Sequence, residues 1–255
     1  MRHKGPWRPP QATAAGFTSL LFNDDFDSSS TIAPTRAGTG FNWWPPTQGM
    51  PTLTVANSEL TMTADFTPNG GGLASLLNTG VSPGPNVFRH VYFEARMKYP
   101  GSAPGSYVNG TGTWPSFWLL NSNWPNRSIF AEVDIMEAIP SPRSANQPCV
   151  LTQTIHNWTT NFASDTTPNN WQSGLNVPAL PGGNPGTTDF SVYHKYGLLW
   201  VPDLLTWYFD DQPYITQDVS NAAGHNLEAN TDPLFIIIGT GRNWTCAWDW
   251  IRVWG

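Results

Sequence analysis

From Leu20 onward the chain is a succession of short apolar runs separated by clusters of turn-forming residues. No segment keeps a helical period for three turns, and the 24 Pro and 23 Gly residues are scattered along the chain, as a fold with many turns requires. This pattern is typical of a sandwich or a barrel and predicts an all-β domain. The runs expected to form strands are 52–55, 59–63, 91–98, 116–120, 132–139, 150–156, 196–201, 205–209, 234–238 and 248–253.

The sequence predicts one domain over residues 17–255, preceded by a flexible arm over residues 1–16. All-β domains of 255 residues are often single, and no linker divides this chain. Residues 1–10 are basic and lack the apolar segment of a signal peptide. No apolar run reaches the length of about 18 residues that a membrane-spanning helix needs, so no membrane partner is expected.

The composition favours sugars over nucleic acids as partners. Charged residues are 12% of the chain, against roughly 25% in an average protein. A net charge of −6 argues against a polyanion such as DNA. A weakly charged chain with 14 Trp residues suits a carbohydrate surface better.

The segment Glu132-Val133-Asp134-Ile135-Met136-Glu137 sets three carboxylates into an apolar run. Burying acids is costly unless they are paired or take part in chemistry. Strand alternation places Glu132 and Asp134 on one face, and a β-bulge near Ile135 and Met136 would return Glu137 to that face. Two Glu residues would then flank an Asp, as in a retaining glycosidase, whose two carboxyl groups lie about 5–5.5 Å apart. The alternative is that the acids form the solvated face of a half-buried strand.

Further motifs carry a resemblance to a known family. The order FEARMK (93–98), GTWPSFWLL (112–120) and EVDIME (132–137), with strand-like motifs at 193–200, 206–210 and 249–254, resembles glycoside hydrolase family 16 in its laminarinase-like branch. The resemblance implies a β-jelly roll of two antiparallel sheets, with an open cleft on the concave sheet. It implies that Glu132 is the nucleophile, Asp134 a supporting carboxylate and Glu137 the general acid/base.

The resemblance also implies substrate-binding residues, because the apolar faces of sugars stack on aromatic rings. For each Trp the alternative is core packing, for His156 a structural role, and for the aromatic pair 43–44 the capping of one end of the sandwich. Ile237 stands where the family usually has a polar Asn, which leaves the substrate open. The expected substrate-binding residues are Trp114, Trp118, His156, Asn42, Trp43 and Trp244.

A structural calcium ion on the convex side is a further implication. Asp25 and Asp249 match positions where family members bind calcium, although both could simply begin strands. No catalytic cofactor is expected, and no His or Cys cluster predicts zinc. Cys149 and Cys246 could form one disulfide or remain two buried thiols.

The predicted function is that of a retaining endo-β-glucanase acting on β-1,3 or mixed β-1,3/1,4 glucans. Few Lys or Arg residues lie near the motifs, which favours a neutral polysaccharide. Agar, porphyran, carrageenan or an acidic exopolysaccharide are alternative substrates, and transglycosylation is an alternative reaction. A non-catalytic carbohydrate-binding protein is disfavoured because both Glu residues are present. We expect a secreted monomer.

Overall fold

The computed structural model describes residues 5–45, 51–63, 71–75, 86–99, 114–144, 147–159, 162, 164, 189–220, 233–240 and 245–255. Within these residues one short helix precedes thirteen strands, and every run expected from the sequence corresponds to a strand. The helix and strands β1, β4 and β11 were not predicted. The elements are α1 (Pro10–Ala14), β1 (Leu20–Asp24), β2 (Thr52–Val55), β3 (Leu60–Thr63), β4 (Gly71–Ala74), β5 (Tyr92–Lys98), β6 (Ser116–Asn121), β7 (Ile129–Ser144), β8 (Gln147–Thr159), β9 (His194–Val201), β10 (Leu204–Phe209), β11 (Gln212–Asp218), β12 (Leu234–Thr240) and β13 (Thr245–Trp254).

The strands form two antiparallel sheets that pack face to face, so the all-β sandwich prediction is confirmed. The eight-stranded sheet has the order β11-β10-β9-β5-β13-β3-β2, and β1 pairs with β13 beside it. The five-stranded sheet has the order β4-β12-β6-β7-β8. Chain neighbours are often separated in these sheets, which is the crossing connectivity expected of a jelly roll.

The core between the sheets follows from strand alternation. On β5 the side chains of Phe93, Ala95 and Met97 are fully buried against the opposite sheet, whereas the residues between them face outward. On β12 both faces are buried, because Ile236 joins this core and Ile237 joins a second apolar cluster on the outer face. The five-stranded sheet is therefore apolar on both sides around its central strands.

The structure describes residues 5–16, which belong to the flexible arm predicted over residues 1–16. Residues 10–14 form α1, which begins with Pro10 at a position where proline is well tolerated. The buried Gln11 donates to the Tyr92 hydroxyl over 2.6 Å, and Ala12 packs with Tyr92 and Trp254. Sequence inspection missed this docking because a five-residue helix has no measurable apolar period. The domain division at residue 17 stays a prediction.

Cys246 on β13 is a free, buried thiol, which excludes the disulfide alternative. Burial raises the pKa of this thiol to about 12. Among the described residues, no helix has the length and apolar character to cross a membrane.

Candidate active site

A β-bulge brings the three carboxylates of the central motif to one face. Between Asp134 and Glu137, strand β7 has one residue more than either neighbouring strand, so both registers shift there. The side chains of Ile135 and Met136 both enter the core, where each is at most 1% exposed. Glu137 consequently faces outward on the same side as Glu132 and Asp134, as the sequence predicted.

The other sheet supports the bulge from behind. A bulge removes backbone groups from the regular ladder, and a buried carbonyl without a partner costs free energy. Here the carbonyl oxygen of Asp134 accepts a hydrogen bond of 2.9 Å from Nε1 of Trp207 on β10. Trp207 is fully buried, so the packing of the sandwich core fixes the backbone from which the carboxylates project.

Neutral donors orient the two glutamates. Trp158 Nε1 donates to Oε2 of Glu132 over 3.2 Å. Trp114 Nε1 donates to Oε1 of Glu137 over 2.8 Å, and Thr152 Oγ1 donates to its Oε2 over 3.2 Å. Each carboxylate is therefore held in place without a cationic hydrogen-bond donor among these contacts.

Asp134 lies at the centre of the site and is 2% exposed. Its Oδ2 has no hydrogen-bond partner, but Nε2 of His156 lies 3.6 Å away. His156 stands opposite Glu132 in the β7–β8 register and stacks on Trp158, with ring centroids 4.8 Å apart. The structure thus places His156 beside the catalytic candidates, as expected.

Burial and mutual repulsion raise the pKa values of two of these acids. The pKa of Asp134 lies well above its usual range, because burial disfavours the charge and the carboxylates of Glu137 and Glu132 add to the effect. The pKa of Glu137 is also raised by burial, although the hydrogen bonds from Trp114 and Thr152 and the nearby His156 oppose the shift. The arrangement favours a protonated acid at Glu137, and it allows a proton to be shared with Asp134.

Trp118 offers an aromatic surface next to the central carboxylate. In the sheet register it lies opposite Asp134 on one side and Ile237 on the other. The row continues from Ile237 to Ala74 on β4. The Trp118 side chain is half-buried and packs against an apolar cluster that includes Ile237. Ile237 stands where the family usually has a polar Asn, but it is only 7% exposed and belongs to the apolar packing around Trp118.

Trp43 was predicted to bind substrate, but the structure places it in the core. Its side chain is fully buried between Phe22 and Phe26, and Nε1 donates to Oδ2 of Asp24 over 2.9 Å. A ring without exposed surface cannot stack on a sugar, so Trp43 is a core residue. The Asn42 amide nitrogen also donates to Asp24, over 3.0 Å, and a contact between Asn42 and substrate stays a prediction.

Two further residues were predicted to bind substrate, Trp114 and Trp244. The indole N–H of Trp114 donates to Glu137, so it also positions that acid, and a contact between its ring and the substrate stays a prediction. Trp244 lies outside the described residues.

Sequence reasoning missed Trp158, Thr152 and Trp207. Trp158 is two residues after His156 on the same strand, so strand alternation places both on one face and could have identified Trp158. Thr152 precedes His156 by four residues and shares its face for the same reason. Trp207 had no such signal, because its contact with Asp134 joins two sheets.

The carboxylates predicted to bind calcium are instead paired with arginine. Asp25 Oδ1 accepts from Nη2 of Arg252 over 2.9 Å, and Asp249 Oδ2 accepts from Nη1 of Arg96 over 2.5 Å. In the part of the chain that the structure describes, neither Asp joins a group of three His, Cys, Asp or Glu side chains suited to a metal. A guanidinium group at this distance repels a cation, which disfavours calcium binding by these two carboxylates.

Comparisons with known proteins agree with this geometry. The endo-1,3-1,4-beta-glycanase EglC of Rhizobium meliloti is 26% identical over 240 residues, covering 92% of this chain and 41% of that protein. The beta-glucanase of Rhodothermus marinus is 29% identical over 141 residues, covering 48% of this chain and 42% of that protein. The chain thus spans about two fifths of the length of these relatives.

Solved structures show the same fold. SCLam, a non-specific endo-beta-1,3(4)-glucanase, superposes with a TM-score of 0.60 at 18% identity, over 98% of this chain and 94% of that one. A family 16 protein of Bacteroides ovatus, solved with the product G4G4G3G, superposes with a TM-score of 0.60 at 20% identity, over 91% of this chain and 99% of that one. The family model described as "Glycosyl hydrolases family 16" matches residues 42–247, which include the whole bulged motif. The chain therefore belongs to glycoside hydrolase family 16.

Proposed function

We propose that the chain is a retaining endo-β-glucanase, which hydrolyses β-1,3 or mixed β-1,3/1,4 glucans by double displacement. The bulge at Ile135 and Met136 carries the proposal, because it places Glu132 and Glu137 on one face with Asp134 between them. A retaining glycosidase needs such a close pair, one carboxylate to attack the sugar and one carboxylic acid to protonate the leaving oxygen.

In the first step Glu132 attacks the anomeric carbon while Glu137 gives its proton to the glycosidic oxygen. The raised pKa of Glu137, caused by burial, supports this division of roles because the acid must be protonated when substrate arrives. Trp158 orients the attacking carboxylate. The products are a covalent glycosyl ester at Glu132 and a free sugar chain as the leaving group.

In the second step a water molecule cleaves the ester. Glu137, now ionised, takes the proton of this water, and the oxygen attacks the anomeric carbon from the face opposite Glu132. Two inversions give net retention. Asp134, whose pKa is raised by burial and by its two neighbours, supplies a proton for a hydrogen bond to the carboxylate that leaves the sugar.

A neutral glucan fits the described part of the cleft face better than an anionic polysaccharide does. The motif brings three acids to this face, and the half-buried Trp118 adds apolar surface beside them. The name of SCLam, an endo-beta-1,3(4)-glucanase, supports a glucan, and the name of EglC, an endo-1,3-1,4-beta-glycanase, supports the same linkages. Secretion and a monomeric state stay predictions.

Chemical rescue tests the proposed roles. Glu132→Ala should lose hydrolysis, and azide should restore cleavage of an activated β-glucoside with formation of the α-glycosyl azide. Glu137→Ala should instead give the β-glycosyl azide, because its nucleophile is intact. Exchange of these two outcomes would reverse the roles, and substantial unrescued activity in Glu132→Gln would refute the nucleophile.

A further inference from the structure

We propose that Glu132, Asp134 and His156 form a binding site for one borderline transition-metal ion, such as Zn²⁺ or Cu²⁺, and that the bound ion blocks catalysis. One potential ligand atom from each residue lies within 4.8 Å of the other two. The His156 Nε2 to Asp134 Oδ2 edge of this triangle is already 3.6 Å long. The sequence showed no metal cluster because the histidine comes from β8 and the carboxylates from β7.

The central carboxylate provides an independent observation. Asp134 is 2% exposed, and among the described residues its Oδ2 has no hydrogen-bond partner, although Nε2 of His156 lies 3.6 Å away. A buried polar oxygen without a partner is unfavourable, and a metal ion that displaces the Asp134 proton would satisfy it. Catalysis requires three clustered acids, and two of them form the metal-binding arrangement together with His156.

The donor set selects the class of metal. Imidazole nitrogen suits Zn²⁺ and Cu²⁺, whereas Ca²⁺ prefers six to eight oxygen ligands. Ligands about 2.0–2.2 Å from a tetrahedral ion are roughly 3.3–3.6 Å apart, so the ligand atoms would have to approach one another by roughly 1 Å. Trp158 stacks on His156 and donates to Glu132, which orients two of the three ligands before metal arrives.

The inhibitory consequence rests on the proposed function, but metal binding does not. An ion held by Glu132 occupies the oxygen that must attack the sugar. It also occupies the space in which the anomeric carbon has to lie. Zinc and glucan should therefore exclude each other, so zinc should raise KM more than it lowers kcat.

Isothermal titration calorimetry with ZnCl₂ provides the test, because it does not depend on enzyme activity. His156→Gln keeps a polar side chain but removes the nitrogen ligand. His194→Gln is the matched control, since His194 is also half-buried, stacked on a ring (Phe209) and paired with one carboxylate, Asp210, at 2.7 Å. The wild type and His194→Gln should each bind one equivalent of Zn²⁺. His156→Gln should lose this binding or show an affinity at least about tenfold weaker.

Cu²⁺ loaded into the same site should give an electron paramagnetic resonance spectrum with coupling to one histidine nitrogen, absent in His156→Gln. CaCl₂ should give no comparable heat. If His156→Gln does not fold, Asp134→Asn carries the same comparison.

Equal zinc affinity and stoichiometry in the wild type and His156→Gln would overturn the site. Zinc bound at His156 without any effect on glucan hydrolysis would overturn the inhibition. An inactive wild type that still binds zinc through His156 would refute the glucanase proposal and leave the metal site standing.

Discussion

The outer faces of the two sheets carry similar acids in opposite electrostatic settings. On the eight-stranded sheet, Asp249 pairs with Arg96 and Asp211 is bonded by Lys195. On the five-stranded sheet, Glu132 and Glu137 accept hydrogen bonds from neutral indole and hydroxyl groups. Cations neutralise the acids of the first face, whereas the acids of the second face lie close to one another.

The difference shows what turns a carboxylate into a catalytic group in this fold. A paired acid keeps its charge at neutral pH, so it serves structure and has no proton to give. An acid that burial and like charges push towards the protonated form can donate a proton to a leaving group. Glu137 meets this condition.

Substitution of one acid on each face gives the largest contrast. Glu137→Gln should lower kcat/KM on unactivated glucan by about 10²–10⁴-fold, the typical contribution of a general acid. Asp211→Asn removes a carboxylate bonded by Lys195 and Gln11 on the other face and should leave kcat/KM unchanged. Rates measured with mixed-linkage glucan would decide, and equal losses would show that the acids of the two faces are not distinct.

Glu94 is an exception among the acids of the eight-stranded sheet, because burial rather than pairing with a cation dominates its environment. It is 2% exposed, accepts a hydrogen bond from Trp254, and burial raises its pKa to about 7. Because the pKa of Glu94 is raised, its contribution to the free energy of unfolding is complete below the unfolded value of 4.5. That contribution is lost as pH rises through about 7. The loss amounts to about 3 kcal/mol.

Glu94→Gln should therefore gain stability relative to wild type between pH 4 and pH 8, as measured by urea unfolding at several pH values. Glu59→Gln is the matched control with the opposite sign. Burial of Glu59 acts to raise its pKa, but the contacts with Tyr193 and Lys98 outweigh burial and hold the pKa below its usual value. The Glu59 contribution is fully present above the unfolded value of 4.5 and is lost as pH falls below it, so Glu59→Gln should be less stable than wild type at neutral pH, with a deficit that shrinks only at acid pH. A Glu59→Gln difference that instead follows the neutral-pH trend of Glu94→Gln would contradict the account.

Trp114→Phe tests the neutral donor at the catalytic acid. The indole N–H favours the ionised form of Glu137, so its removal should raise the pKa of that acid further. The alkaline limb of the kcat/KM profile should then move to higher pH, with at most about a tenfold change in rate at the optimum. Trp124→Phe, in the neighbouring apolar cluster, is the control that should leave the limb in place. A limb that moves to lower pH in Trp114→Phe would contradict the assigned hydrogen bond.

Calcium should have the smallest effect. Because Arg96 and Arg252 already neutralise Asp249 and Asp25, neither chelator nor added calcium should change the melting temperature. Thermal unfolding with and without chelator measures this. A clear calcium-dependent rise would show that a cation displaces one of the arginines.

The sequence was informative where a contact follows from spacing along one strand. The shared face of Glu132 and Asp134 and the bulge that returns Glu137 to it follow from alternation, whereas His156 was implied by the family resemblance. Contacts between distant segments were not accessible in this way. Trp43 and Trp118 both lie in aromatic surroundings in the sequence. Trp43 is buried because of contacts with distant segments, including its hydrogen bond to Asp24, and these contacts leave no local pattern.

The same limit explains the arginine pairs and the support of the bulge. Arg96 and Asp249 are 153 residues apart, and Trp207 and Asp134 are 73 apart. Neither pairing can be derived from local patterns, because each depends on how the strands are ordered in space. The chemistry of the motif was thus predictable, whereas the groups that hold it were not.

The anomeric form of the first product tests the central claim that Glu132 and Glu137 act as a close pair on one face. Proton NMR of wild-type enzyme with mixed-linkage glucan, recorded before mutarotation, distinguishes the two possible outcomes. The account predicts that the β-anomer appears first and then converts to the equilibrium mixture. Initial appearance of the α-anomer would mean that a water molecule attacks directly between more widely separated carboxylates, and it would contradict the claim.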